Sequence, residues 1–498
     1  MASTLYIPRS PSVSGSLGLP LILGIAGVTI LLAIFFGLIA VSANIILVAL
    51  SVGLIVGALL VVRPGWNIWL ILSMGLLVAG VLPIWVDFIA TKAVWGISIL
   101  GFVLLASALF KLIGVPGVAR NTPAFIWAAL IFLFFVVVGS LAQWHGAGEF
   151  LSGFKRYFQM WGLMFALCWL SIDERDIRRW RGFLLVAALV QLPFAVYELI
   201  KLVPLREGYA SSMPGLVPID VVAGTFGSYL YAGGASAEMA TFLIIVLGFL
   251  LARKKEKQLS AARLFLLAPL VIAPLFLGET KVVVILLPLM FLVLYRREMI
   301  ARPHYALAAL AMGAVFTIAA GYAYSSLSKK SLDQQVADIL DYNVYDRGYG
   351  NSLLNRTTVL TFWAEKQDMQ DPISMVFGNG VGSAQSGATL APGHIGMRYE
   401  RYGIGLTAAS TLLWETGLFG FGLFLLTSLL AWRTAGRLIR SVTDPLVRAD
   451  LIAIQAAIAI FTFYLFYELS VLQILGFQIV FVSLLGYLAW LYRKYGPA

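Results

Sequence analysis

The feature that most constrains this sequence is a series of apolar stretches, most of them roughly 15–25 positions long and almost free of charge. A helix needs about 20 such residues to cross the hydrocarbon of a bilayer. Backbone in hydrocarbon must satisfy its own hydrogen bonds, so a continuous apolar run of this length folds as helix. The stretches run approximately over 18–41, 44–62, 66–86, 93–110, 123–143, 157–171, 182–203, 236–252, 263–278, 281–295, 304–324, 404–431, 450–467 and 470–492. The expected fold class is therefore an all-α polytopic integral membrane protein with about 14 transmembrane helices (12–14) and one large extracytoplasmic loop.

Composition excludes the other broad classes. Of the 498 residues, 60% are hydrophobic and 12% charged, against about half and a quarter in a soluble domain. A soluble enzyme, a disordered chain and a secreted disulfide scaffold do not look like this. Cys168 is the single cysteine, and the histidines are His145, His304 and His394. Neither a Cys-based metal site nor a zinc site of ordinary composition is expected, so the metal and cofactor expectations are both none. The net charge of +11 reads as topology rather than as a nucleic-acid footprint, because most positives lie in short connections between apolar blocks.

Alternating the sides tests that reading. Residues 1–17 look like a cytoplasmic tail without a signal-peptide cleavage site. The inner connections then hold Arg63; Lys111 and Arg120; Arg175, Arg178, Arg179 and Arg181; Arg253, Lys254, Lys255 and Lys257; Arg296, Arg297 and Arg302; Arg433, Arg437, Arg440 and Arg448; Arg493 and Lys494. Lys155 and Arg156 are the exception on the outer side. Both termini fall in the cytoplasm. The expected division is helices 1–11 over 18–324, with an outer loop at 204–235, a large outer loop over 325–403, and helices 12–14 with a short tail over 404–498.

Within the large loop, Asn355 to Gln367 reads as a helix capped by Asn351, Ser352 or Asn355, and Asp371-Pro372 ends the following segment. Leu353, Leu354, Leu360, Phe362 and Trp363 are apolar enough to lie on the membrane surface. Arg356 and Trp363, seven apart, share a face. Phe377-Gly378-Asn379-Gly380-Val381-Gly382-Ser383 follows, and its alternating glycines suit either an anion-binding nest or a plain turn.

The order Arg356, Trp363, Asp371-Pro372, the glycine stretch and then Trp414-Glu415-Thr416-Gly417-Leu418-Phe419-Gly420 on a membrane helix resembles the O-antigen ligase and O-antigen polymerase superfamily. Gly224-Thr225-Phe226-Gly227 before Ala237-Glu238-Met239-Ala240 is similar to that family's Gly-Thr-Phe segment. Glu279-Thr280-Lys281 stands where the family often has Ser-Arg-Gly. The resemblance covers roughly residues 220–425. Leu406 occupies the position of a His common in the ligases, Lys281 that of a common Arg, and Asp220 lies where a basic residue is usual. These departures favour a polymerase over a lipopolysaccharide-core ligase.

The resemblance implies a metal-independent glycosyltransferase in the bacterial inner membrane. It would join polyprenyl-diphosphate-linked repeat units into an O-antigen or exopolysaccharide chain. Its partners would be that donor (undecaprenyl diphosphate as carrier), a glycan acceptor, membrane lipids, a chain-length regulator and other polysaccharide-assembly proteins, with no nucleic acid. Such chemistry needs cations against the departing diphosphate and a positioned base for the acceptor hydroxyl. The candidate catalytic residues are Arg356, Lys281, Glu279 and His394. The candidate substrate-binding residues are Arg398, Glu400, Arg401, Glu238, Trp363 and Gly380. Glu198, Glu415 and Glu468 also stand out, since ionisable groups in or near apolar helices are costly. The alternatives are an O-antigen ligase and, from another class, a secondary transporter or lipid-linked-sugar flippase, which usually shows paired mid-membrane charges and two similar halves.

Overall fold

A computed structural model of the chain describes residues 57, 59–85, 94–210, 216–231, 234–278, 281–304, 352–367, 372–387 and 391–496, with isolated positions between 305 and 348. The expected span at 18–41, most of those at 44–62 and 304–324, and Glu279 lie outside the described residues. Residues 63–498 form a compact unit, and the helical bundle lies within it.

Among the described residues every element is helical. In chain order, α1 is Pro64–Ser73, continued by a π turn to Val78. Next come α2 Val94–Gly114, α3 Ala124–Ala142, α4 Ala147–Phe158, α5 Trp161–Trp169 and α6 Glu174–Tyr197. They are followed by α7 Ser236–Lys255, α8 Ala261–Ile272, α9 Val283–Ala301, α10 Thr358–Glu365, α11 Pro372–Phe377 and α12 His394–Arg398. The last are α13 Ala408–Ser441, α14 Pro445–Tyr464, α15 Ser470–Gln473 and α16 Leu475–Tyr495.

Seven of these, counting α6 with its extension to Tyr209, are long and apolar enough to cross a membrane: α2, α3, α6, α7, α13, α14 and α16. Pro64–Val78 and Ala261–Phe276 are apolar but shorter. The protein is thus a multi-pass membrane protein by its helices, with fewer full-length spans among the described residues than apolar blocks in the sequence.

Two blocks show why. The 157–171 block divides into the end of α4 and the nine-residue α5, which is buried along its whole length. It packs on α2 through glycine: a Cβ on Gly162 would lie 2.1 Å from the Gly101 carbonyl oxygen, and one on Gly101 would lie 1.7 Å from that of Gln159. Close backbone approach through small residues is the usual solution for helices in lipid. The 263–278 block ends as helix at Ile272 and passes into a 3₁₀ turn at Ala273–Phe276, after Pro269 and at Pro274. The 204–235 connection begins as helix, since the chain that includes α6 stays helical to Ala210 through a π turn at Glu198–Leu202.

The antiparallel pair α7 and α14 sets the frame. At one end, Asp450 pairs with Arg181 at 2.7 Å and Arg253 at 3.1 Å, and accepts from the Tyr487 hydroxyl at 2.8 Å. Lys255–Glu298, Arg448–Glu256 and Lys494–Glu174 join the same end, so the basic connections converge on one end of the bundle. At the other end, the Tyr464 hydroxyl donates to Glu238 Oε1 at 2.9 Å. Along α7 the two polar layers are about 22 Å apart, at about 1.5 Å per residue from Glu238 to Arg253. Between them lies an apolar core including Phe242, Leu243, Ile454, Ile458, Phe461, Phe477 and Phe481. A dry layer bounded by polar ends is what a spanning bundle requires.

Arg156 is no loop charge. It lies buried on α4 and pairs with Glu415 of α13 at 2.8 Å. Lys155 beside it rests over the Trp95 ring, 4.0 Å from the centroid. The exception to the charge pattern is one neutralised arginine and one lysine held on an aromatic face.

Candidate functional site

The Glu238 end of the bundle gathers six segments. Glu238 lies in the first turn of α7, buried, where the helix dipole favours an acid. Its Oε1 accepts from the Tyr464 hydroxyl and from the Ser470 hydroxyl of α15. The turn after α14 caps the start of α13: the Ala409 N–H donates to the Leu465 carbonyl at 2.8 Å, and the Ala408 N–H to that of Glu468 at 3.1 Å. A capping box between Thr407 and Ser410 completes that helix end. The result fixes Glu468 between α13, α14 and α15.

Arg356 joins this cluster from the segment before α10. Its Nε donates to the Tyr467 carbonyl at 2.6 Å, and its guanidinium lies 4.2 Å from the Tyr467 ring centroid. Asn355 fixes the turn that presents it. The buried Asn355 Oδ1 accepts from the N–H groups of Thr357 at 2.9 Å and Thr358 at 2.8 Å, so Asn355 caps this helix. Arg356 and Glu238 both act electrostatically on Glu468. Burial raises the Glu468 carboxyl to about 8; the charges of Glu238 and Asp220 push the same way and Arg356 opposes them. A carboxyl with that value gains and loses its proton near neutrality, as a general base requires.

The Gly224–Gly227 segment is built into the same end. Glu198 Oε2 accepts from the N–H groups of Ala223 at 2.9 Å and Gly224 at 2.7 Å, and its Oε1 accepts from the Ser228 hydroxyl. Gln191 both accepts from the Thr225 N–H and donates to its hydroxyl, each at 2.8 Å. Gly224 has φ +59°, and a Cβ there would lie 2.3 Å from Gln191 Oε1. Glu198, costly in an apolar helix, is thus consumed in holding this turn, and the Gly234 end of the segment abuts the Asp220 carbonyl before α7 begins.

The second glycine stretch and the Glu415-to-Gly417 step are two halves of one joint. Gly378, Gly380 and Gly382 all have φ between +79° and +90°, which only glycine adopts without strain. The Asn379 and Gly380 N–H groups donate to the carbonyls of Trp414 at 2.9 Å and Glu415 at 3.1 Å, and the Val381 N–H to the Ser140 hydroxyl at 3.0 Å. Those N–H groups brace α13 and α3 instead of converging on open space. The helix breaks at Gly417, with φ 65° and ψ −171°. A Cβ on Gly378 would lie 2.4 Å from Glu415 backbone atoms, and one on Gly417 would lie 2.4 Å from the Val376 carbonyl oxygen. The break and the loop interlock backbone to backbone.

The other expected residues are spread more widely. Trp363 is buried with Leu354, Val359, Phe362, Ala384, Ile395, Ile404, Leu413 and Trp414. The expected surface helix is therefore the core of a small packed unit, with Leu353 its exposed member. Pro372 opens α11 rather than ending a segment. Lys281 lies in the turn leading to α9, where its carbonyl accepts from the Val284 N–H. Arg398, Glu400 and Arg401 are exposed, with Arg398 beside the Tyr399 ring and the Arg401 carbonyl accepting from the Leu353 N–H at 2.9 Å. Of the candidates, Arg356 and Glu238 are brought together.

His394 faces a different group. Its N–H donates to Glu149 Oε2 at 3.0 Å, and its Nδ1 lies 3.0 Å from Glu149 Oε1. Its ring stacks on that of His145, with centroids 3.5 Å apart and planes 13° from parallel. Burial lowers the His394 imidazole below its usual value and His145 adds to this, while Glu149 opposes it. Sequence reasoning missed Tyr464, Tyr467 and Ser470, ordinary residues in an apolar context, and Glu149, which no motif marks. No protein-family model and no curated protein matches this chain.

Proposed function

We propose that this protein is a membrane glycosyltransferase that polymerises lipid-diphosphate-linked oligosaccharide repeat units, with the Arg356–Glu468–Glu238 cluster as its centre. The observation that carries this reading is an arginine whose Nε is fixed on the Tyr467 carbonyl, next to a carboxyl of raised pKa. This group sits at the end of the bundle away from the arginine-rich connections.

In the proposed step the acceptor hydroxyl oxygen attacks the anomeric carbon of the donor sugar. The bond from that carbon to the diphosphate oxygen breaks, and polyprenyl diphosphate leaves. Glu468 takes the hydroxyl proton. Arg356 faces the charge that grows on the leaving oxygen, where a planar guanidinium is worth most in a site shielded from water. Glu238, tied to Tyr464 and Ser470, holds α7 and α15 together and helps set the proton affinity of Glu468. Exposed Arg398 and Arg401, and Lys281, are further cations for the anionic donor. By this reading the cluster faces the outside of a bacterial inner membrane, with the basic end of the bundle in the cytoplasm.

The test is reconstitution. Purified protein in vesicles should lengthen a lipid-linked repeat unit into a ladder of products. Transfer of a single unit to a lipid acceptor would make it a ligase instead, and movement of the intact donor across the bilayer without any new glycosidic bond would replace the enzyme reading with a flippase.

A further inference from the structure

We propose that His145, Glu149 and His394 bind a zinc-class divalent metal ion, which clips the segment around α12 to the α3–α4 turn. One donor atom from each of the three lies within 4.8 Å of the other two. Two of the chain's three histidines meet here, and His394 and Glu149 are 245 positions apart in sequence. Glu149 is buried in the first turn of α4, so its carboxylate is held by rigid structure. His394 opens α12 and is partly buried. His145 is exposed at the mouth, which leaves a route for an ion from solvent.

The stacked rings define the change that binding requires. A metal ion lies in the plane of each imidazole that holds it, and two nearly parallel planes 3.5 Å apart share no such point. The exposed His145 ring is the one that turns. It gives up the stack and its 3.1 Å contact with the Gln143 carbonyl for a bond to the ion. Two imidazoles and one carboxylate form a ligand set suited to Zn²⁺, with water at the fourth, solvent-facing position. Imidazole donors disfavour Mg²⁺ and Ca²⁺, which prefer oxygen. The clip would hold α12, and with it the glycine loop of residues 378–384, against the helix that carries Arg156. It is separate from the Arg356 cluster and does not depend on the proposed reaction.

The full-length protein in detergent, stripped with EDTA and dialysed, is titrated with ZnCl₂ while heat of binding and thermal unfolding are followed. One saturable Zn²⁺ per chain and a higher unfolding midpoint are expected. His145→Ala and His394→Ala should each weaken binding by roughly tenfold or more, whereas His304→Ala should bind as the wild type does. Mg²⁺ and Ca²⁺ should not compete. Because His145 is exposed, the metal-free unfolding midpoint of His145→Ala should equal that of the wild type, which shows that the fold is kept. Equal zinc affinity in the His145→Ala/His394→Ala double variant, or no saturable binding by the wild type, would overturn the proposal.

Discussion

Glu238 and Tyr464 are joined by a 2.9 Å hydrogen bond although 226 positions separate them in sequence. The bond closes one end of the antiparallel pair α7 and α14, and Arg253 with Asp450 closes the other at 3.1 Å. That arrangement divides the bundle into a basic end, a dry middle and an end where Arg356, Glu238 and Glu468 act on one another. The proposed chemistry depends on this division, because the leaving diphosphate is charged while its lipid tail remains in hydrocarbon.

A base of the kind proposed is active when ionised. With the Glu468 carboxyl raised to about 8 by burial and by the Glu238 charge, transfer rate should rise with pH and level off above about 8. Glu238→Gln removes a like charge and should move this limb to lower pH. Glu468→Gln should remove the limb along with most of the activity, on the order of 10²-fold or more. A rate that is flat with pH in the wild type, measured on protein that stays folded across the range, would exclude Glu468 as the base.

The buried Arg156–Glu415 pair ties α4 to α13 just before the break at Gly417. Removing one partner leaves a buried charge, at a cost of about 3–5 kcal/mol. Arg156→Met and Glu415→Gln should each lower the thermal unfolding midpoint markedly. The double variant should cost less than the sum of the two, because no unpaired charge remains. Additive effects would mean that the two side chains do not interact in the folded protein.

Orientation is testable by cysteine labelling in intact cells after Cys168→Ser. An engineered cysteine at Lys254 or Arg297 should be shielded from an impermeant reagent, and one at Arg398 should be labelled. The reverse pattern would invert the membrane assignment and remove the Arg356 cluster from the side where the proposal needs it.

Much of the fold is legible in the sequence. Charge-free runs of near-spanning length give helices such as α3, α7 and α16 directly, because little besides helix is allowed in hydrocarbon. Arg356 and Glu238 are marked by their motif context, and Glu468 by an ionisable group in apolar surroundings. The 157–171 run misleads because hydropathy measures apolarity and not what the apolar residues face: α5 is apolar all round because protein surrounds it. Trp363 reads in the sequence as a membrane-surface and substrate-binding residue, and only its packing with Trp414 and Ile404 shows it as core. The meeting of His145, Glu149 and His394 depends on how a distant segment folds back on α4, and local spacing carries no trace of it.

The most direct measurement is the polymer made by Arg356→Ala and Arg356→Lys variants that insert at wild-type levels. Product from a purified lipid-linked repeat unit is resolved by chain length on a gel. The predicted result is a loss on the order of 10²-fold or greater for Arg356→Ala, and a small residual activity for Arg356→Lys, which keeps the charge and loses the planar fork. Wild-type polymer yield and length from Arg356→Ala would contradict the assignment of the Arg356–Glu468–Glu238 cluster as the catalytic centre.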